Sequence, residues 1–196
     1  MEIKIIIGGF GGQGILFLGR ILAYSGMLEN KQVTWFPSYG AEIRGGTANC
    51  TVILSDELIG SPIVAHPDIL IVMSDASLDK FQSRLQKNGM LIFDSTLVEK
   101  RLCCSDIEYI AVPATEISSK YGNTKSANMV LLGAVIATSG ILKKASVFKA
   151  LEHTMLKSNS NNNIVEINKK AINEGIRFIE NTKGKNIRSP LRPKAH

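Results

Sequence analysis

Two glycine-rich stretches hold the residues best suited to chemistry. The first is GFGGQG, with Gly9, Gly11, Gly12, Gln13 and Gly14. It fits G-x-G-x-x-G between a β-branched run and an apolar run of helical spacing, a context in which bare amides and a helix N-terminus can hold a phosphate. The second runs FPSYGAEIRGGTANC from Phe36 to Cys50, and sets Ser38, Tyr39, Glu42 and Arg44 among Gly40, Gly45 and Gly46. Pro37 sets a turn, and the glycines permit positive φ and close approach. A guanidinium and backbone amides directed to one place suit a phosphate, a carboxylate or a partner's acidic side chain. Each stretch also has a plainer reading. GFGGQG can be a tight strand-to-helix turn, and Glu42 and Arg44 can form a weak surface pair.

Several chemistries lack their residues. Dinucleotide binding needs an acid at the end of the second strand to hold the ribose. No Asp or Glu lies between Lys31 and Ala41. No Lys-Ser or Lys-Thr follows Gly14, so a P-loop is excluded. Ser38 lacks G-x-S-x-G context and a histidine partner, so it is no nucleophile. Cys50, Cys103 and Cys104 have no C-x-x-C spacing, and His66, His153 and His196 lie far apart. These patterns imply reduced, packed cysteines and no metal site in this chain.

The elements that must position these loops alternate in type. Ile3 to Ile7 reads as a buried strand, and the apolar run after Gly14 as a helix. Gln32 to Phe36 reads as a second strand reached by a parallel crossover. TANCTVILS puts Ala48, Cys50, Val52 and Leu54 on one face and Thr47, Asn49, Thr51 and Ile53 on the other. Further strands fall at Asp68 to Met73, Gly89 to Asp94 and Ile107 to Val112, with a helical period in ASLDKFQSRLQK. From Ser126 the pattern turns helical in three segments, with Ser158 to Asn163 as a polar loop. The expectation is a single Rossmann-like α/β domain over residues 1–182, with a mainly parallel sheet flanked by helices. Both glycine stretches then fall at the C-terminal edge of that sheet.

The net charge of +6 is local. Residues 183–196 hold five Lys/Arg and no acid, leaving 18 basic against 17 acidic residues elsewhere. A nearly neutral body gives no nucleic-acid signal. The basic tail suits a solvated or partner-docking segment, or a site for an anion. The most apolar stretch, Met129 to Leu142, is broken by Gly133, Thr138, Ser139 and Gly140, and the opening MEIKIIIGGF is too short in its apolar part for a signal peptide. A cytoplasmic protein without a membrane span is expected.

GFGGQGI, PSYGAEIRGGTANC and LSDELIGSPIV together resemble the gamma subunit of the 2-oxoacid:ferredoxin (acceptor) oxidoreductases. PDILIVMSDASLDKF, GMLIFDSTLV, ANMVLLGA and EINKKAINEG extend the resemblance over all but the basic tail. It implies a subunit of a complex that converts a 2-oxoacid to its acyl-coenzyme A and passes electrons to ferredoxin or another acceptor. The expected partners are subunits of alpha, beta and delta type. Thiamine diphosphate with magnesium and the iron–sulfur clusters belong to those partners, with coenzyme A there or at an interface. No catalytic residue or cofactor is expected in this chain alone. Its second glycine stretch looks more like the 2-oxoglutarate or branched-chain type than the pyruvate type, and 2-oxoglutarate is preferred. Both glycine stretches then form a subunit-facing edge that closes the thiamine-bearing site, touching coenzyme A through Arg44 and backbone amides. Asn128 either joins that edge or caps its helix. Two other readings stay open: a stand-alone nucleotide- or phosphometabolite-binding domain, and a structural scaffold whose loops only pack against neighbours. Isolated, the chain can self-associate through the face the complex covers.

Overall fold

The computed structural model describes residues 1–38, 47–99, 106–120, 124–156 and 162–182. At its centre lies β1 (Glu2–Phe10), whose Ile5, Ile6 and Ile7 are all fully buried. A strand apolar on consecutive positions has to be covered on both faces. It is followed by α1 (Ile15–Leu28), β2 (Gln32–Ser38), β3 (Thr47–Ser55), β4 (Ile69–Val72), α2 (Asp75–Phe81), β5 (Met90–Asp94) and β6 (Glu108–Val112). The helices α3 (Ala114–Ser119), α4 (Ala127–Ser139), α5 (Lys144–Leu156) and α6 (Asn162–Thr182) complete the described elements.

The strands form one six-stranded sheet in the order β2-β3-β1-β4-β5-β6. β1, β4, β5 and β6 pair in parallel, whereas β3 is antiparallel to both β1 and β2. The sheet is therefore mainly parallel, as expected. One detail of the expectation changes. β2 runs in the direction of β1, but β3 lies between them, so the first crossover joins strands that are not neighbours. The pattern of β2 explains its displacement. It carries Pro37 and is half-buried at most, which suits an edge. β3 has buried residues on both faces over Val52–Leu54 and pairs with β1 over nine residues.

The face carrying Ile5, Ile7, Cys50, Val52, Leu54 and Ile71 packs in one core with residues of α1, α4, α5 and α6. The opposite face, with Ile6, Ile53, Leu70 and Phe93, packs with Leu78, Phe81 and Leu85. α4 is buried on every side from Ala127 to Ile136, because α6 covers the flank that the sheet leaves open. Two glycines permit that contact. A Cβ on Gly133 would lie 2.0 Å from the Ile172 carbonyl oxygen, and one on Gly175 would lie 2.0 Å from that of Val130.

Two local expectations are corrected. α3 was not foreseen, and Asn162 and Asn163, read as loop, open α6. Cys103, Cys104 and the basic tail lie outside the described residues. Among the described residues no helix is long and apolar enough to cross a membrane.

Candidate functional site

The glycine loop leaves β1 at Phe10 and enters α1 at Ile15. Gly12 and Gly14 take φ of +94° and +74°, a region that favours glycine. Gln13 folds back over the turn. Its Oε1 accepts the Phe10 N–H at 2.6 Å, and its Nε2 donates to the Met73 carbonyl at 3.0 Å. One side chain thus ties the loop to the end of β4, the strand beside β1. The fit depends on Gly9, where a Cβ would meet Gln13 Oε1 at 2.5 Å.

Asn128 holds the loop from the other side. Its Nδ2 donates to the Gly14 carbonyl at 3.1 Å, while its Oδ1 accepts the Met129 N–H at 2.9 Å. It is 4% exposed, and a Cβ on Gly14 would come within 2.2 Å of its Nδ2. Asn128 thus satisfies an amide in the first turn of α4 and braces the glycine loop. Ser126, the residue preceding α4, makes no side-chain cap; its Oγ donates to Asn168 Oδ1 at 3.2 Å, toward α6.

The loop remains open to an anion. Gly11 and Gly12 are exposed, and the first turn of α1 has neither an acidic residue nor a side-chain cap at Gly14. The helix dipole and uncapped amides there favour negative charge. Ser38 pairs with Asn49, and Phe10 pairs with Thr47, so both ends of the second glycine stretch reach the same sheet edge as the loop. Tyr39, Gly40, Glu42, Arg44, Gly45 and Gly46 lie outside the described residues.

Sequence reasoning missed Asp94, which closes β5 at this edge. It is fully buried, and its carboxylate accepts from the Thr96 N–H, the Thr115 N–H and Thr115 Oγ at 3.0, 3.1 and 2.6 Å. These bonds seat the start of α3. A buried acid ending an apolar strand before Ser-Thr, in FDST, was the available signal. Ser74 was missed too: its Oγ accepts the Ser77 N–H at 3.2 Å and caps α2 at the end of β4.

Cys50 sits behind the loop rather than in it. Burial pushes its thiol up from 9.0 to about 12. The Trp35 indole acts in the opposite direction, lowering it. A thiol so held is neither a nucleophile nor a metal ligand at neutral pH. Among the described residues no three His, Cys, Asp or Glu converge as metal ligands.

The fold is α/β, with a braced, amide-rich loop at the C-terminal edge of the sheet. Residues 4–178 match the family described as pyruvate ferredoxin/flavodoxin oxidoreductase, and the chain belongs to it. It is 34% identical to the 2-oxoglutarate synthase subunit KorC of Methanocaldococcus jannaschii, across 86% of this chain and 92% of that one. It is also 40% identical to the ketoisovalerate oxidoreductase subunit VorA of Methanothermobacter thermautotrophicus, over 69% of this chain but 28% of that protein. The chain thus spans about a third of the VorA relatives' length. Its fold is that of the gamma subunit of the keto/oxoacid ferredoxin oxidoreductase from Geobacter sulfurreducens, with a TM-score of 0.80, 30% identity and coverage of 92% and 98%.

Proposed function

We propose that this chain is the gamma subunit of a cytoplasmic complex that oxidatively decarboxylates a 2-oxoacid, forms the acyl-coenzyme A and delivers electrons to ferredoxin or another acceptor. Alpha, beta and delta-type partners hold the thiamine diphosphate, its magnesium and the iron–sulfur clusters. Thiamine diphosphate supplies the carbanion chemistry of decarboxylation. This chain supplies a rigid edge that closes the site. The observation carrying the reading is the glycine loop, pinned by Gln13 and Asn128 and leaving the α1 amides uncapped. An edge of that kind suits the phosphates of coenzyme A, with Arg44 adding a guanidinium from the adjoining stretch. The preferred substrate is 2-oxoglutarate, supported by the near-full-length likeness to a 2-oxoglutarate synthase subunit.

Arg44→Ala in the assembled complex tests the ligand role. Loss of a charge-assisted phosphate contact is expected to raise the KM for coenzyme A about tenfold or more, with assembly intact. Unchanged assembly together with unchanged coenzyme A dependence would overturn it.

A further inference from the structure

The connection from β3 to β4 carries the two most exposed of the large apolar side chains described, Leu58 at 88% and Ile63 at 78%. It lies at the sheet edge opposite the glycine loop, because Ser55 at its start pairs with Glu2. The segment is braced at several points. Arg84 donates to the carbonyls of Val64 and Ala65, and its own carbonyl lies 3.3 Å from His66 Nδ1. Gln86 donates from Nε2 to the His66 carbonyl at 3.1 Å and from its amide to that of Pro67 at 3.0 Å. Val64, at 2% exposure, anchors the segment in the core. Ile63, next to the anchored Val64, is therefore presented outward on a preorganised backbone, which lowers the ordering cost of binding, with Leu58 exposed earlier in the same connection.

Beside Ile63 opens a cleft of about 400 Å³, lined also by Lys4, Ala65, His66, Gln86 and Lys87. No carboxylate is among the lining residues, and of its two lysines Lys4 is already paired with Glu2, which leaves Lys87 beside Ile63 to meet an acid. Nearby acids are engaged: Glu2 pairs with Lys4 Nζ at 3.0 Å, Asp68 accepts the Lys4 amide at 2.7 Å, and Asp56 holds Lys31 and the N-terminal ammonium. We infer that this loop and cleft dock a segment of a partner subunit bearing an aliphatic side chain next to one or more carboxylates. The inference rests on the proposed function. A small anion would leave Leu58 and Ile63 without purpose. A second copy would set the same lysines against each other.

The test uses the full chain, tagged and co-expressed with the subunits of its complex. Ile63→Asp and Lys87→Glu are compared with wild type for subunit dissociation by sedimentation, with the Tm of each isolated chain as a folding control. Each variant is expected to weaken assembly at least about tenfold at unchanged Tm, while Lys87→Arg assembles normally. Assembly of wild-type strength in both variants would overturn the inference. So would a wild-type dimer of the isolated chain that Ile63→Asp dissociates without affecting the complex, because the occupant would then be a second copy. A wild-type chain that recruits no subunit would instead sink the functional reading beneath it.

Discussion

Asn128 reaches across 114 positions of sequence to hold the Gly14 carbonyl. Asn128→Ala removes that donor and the acceptor for the Met129 amide, both nearly out of water. The expected cost is about 1–3 kcal/mol in urea unfolding. Asn128→Asp keeps the acceptor but sets a buried carboxylate oxygen against the Gly14 carbonyl, so it should cost at least as much as Asn128→Ala. Cys50 gives a prediction in pH. Its folded thiol titrates near 12 rather than 9.0, so the folded state retains a proton that the unfolded state releases first. The contribution is therefore complete below pH 9 and is lost as pH rises toward about 12, at up to ~1.4 kcal/mol per pH unit. Cys50→Ala should flatten that part of the stability profile measured by denaturant melts, and an unchanged slope would contradict the buried thiol. At this scale the sequence displayed the glycines and Arg44 through their types alone. The braces at Gln13 and Asn128 were only partly legible, because their partners are carbonyls on distant segments that carry no side-chain signature.

Strand and helix runs were legible wherever hydrophobic period and length agreed. The three parallel strands β4, β5 and β6 fall within the predicted runs, and β3 has the one better-buried face its alternation implies, Cys50, Val52 and Leu54, with Ile53 buried on the other. Neighbour order was not legible, since alternation assigns a face and not a partner. That is why β3 came between β1 and β2 unannounced. α3 escaped because six residues are too few to show a helical period, and its seating depends on Asp94 from another strand. The most constrained contact between elements is the α4–α6 crossing. Gly133→Ala would press a methyl group into the Ile172 carbonyl, a backbone obstacle that no rotamer change can clear. We expect a loss of about 3 kcal/mol, seen as a lowered Tm. Gly175→Ala should act alike, and the double variant should cost less than the sum of the two because one displacement relieves both clashes.

The whole molecule is one sheet with two differently equipped edges. The C-terminal edge offers amides and the ends of the Arg44 stretch, and the opposite edge offers exposed aliphatic side chains beside lysines. The chain's relatives include a KorC subunit of similar length and VorA proteins about two and a half times as long. The charge reading also belongs to this scale, since the excess positive charge sits in residues 183–196 and leaves the body near neutrality. Substrate choice was not legible in the sequence, and the likenesses span both 2-oxoglutarate and ketoisovalerate enzymes. The most direct measurement is anaerobic recovery of the tagged chain from its native cells, with coenzyme A-dependent viologen reduction assayed over a panel of 2-oxoacids. The account predicts co-purifying partner subunits and activity highest with 2-oxoglutarate; a chain recovered alone, inactive with every 2-oxoacid and binding a small phosphometabolite, would contradict it.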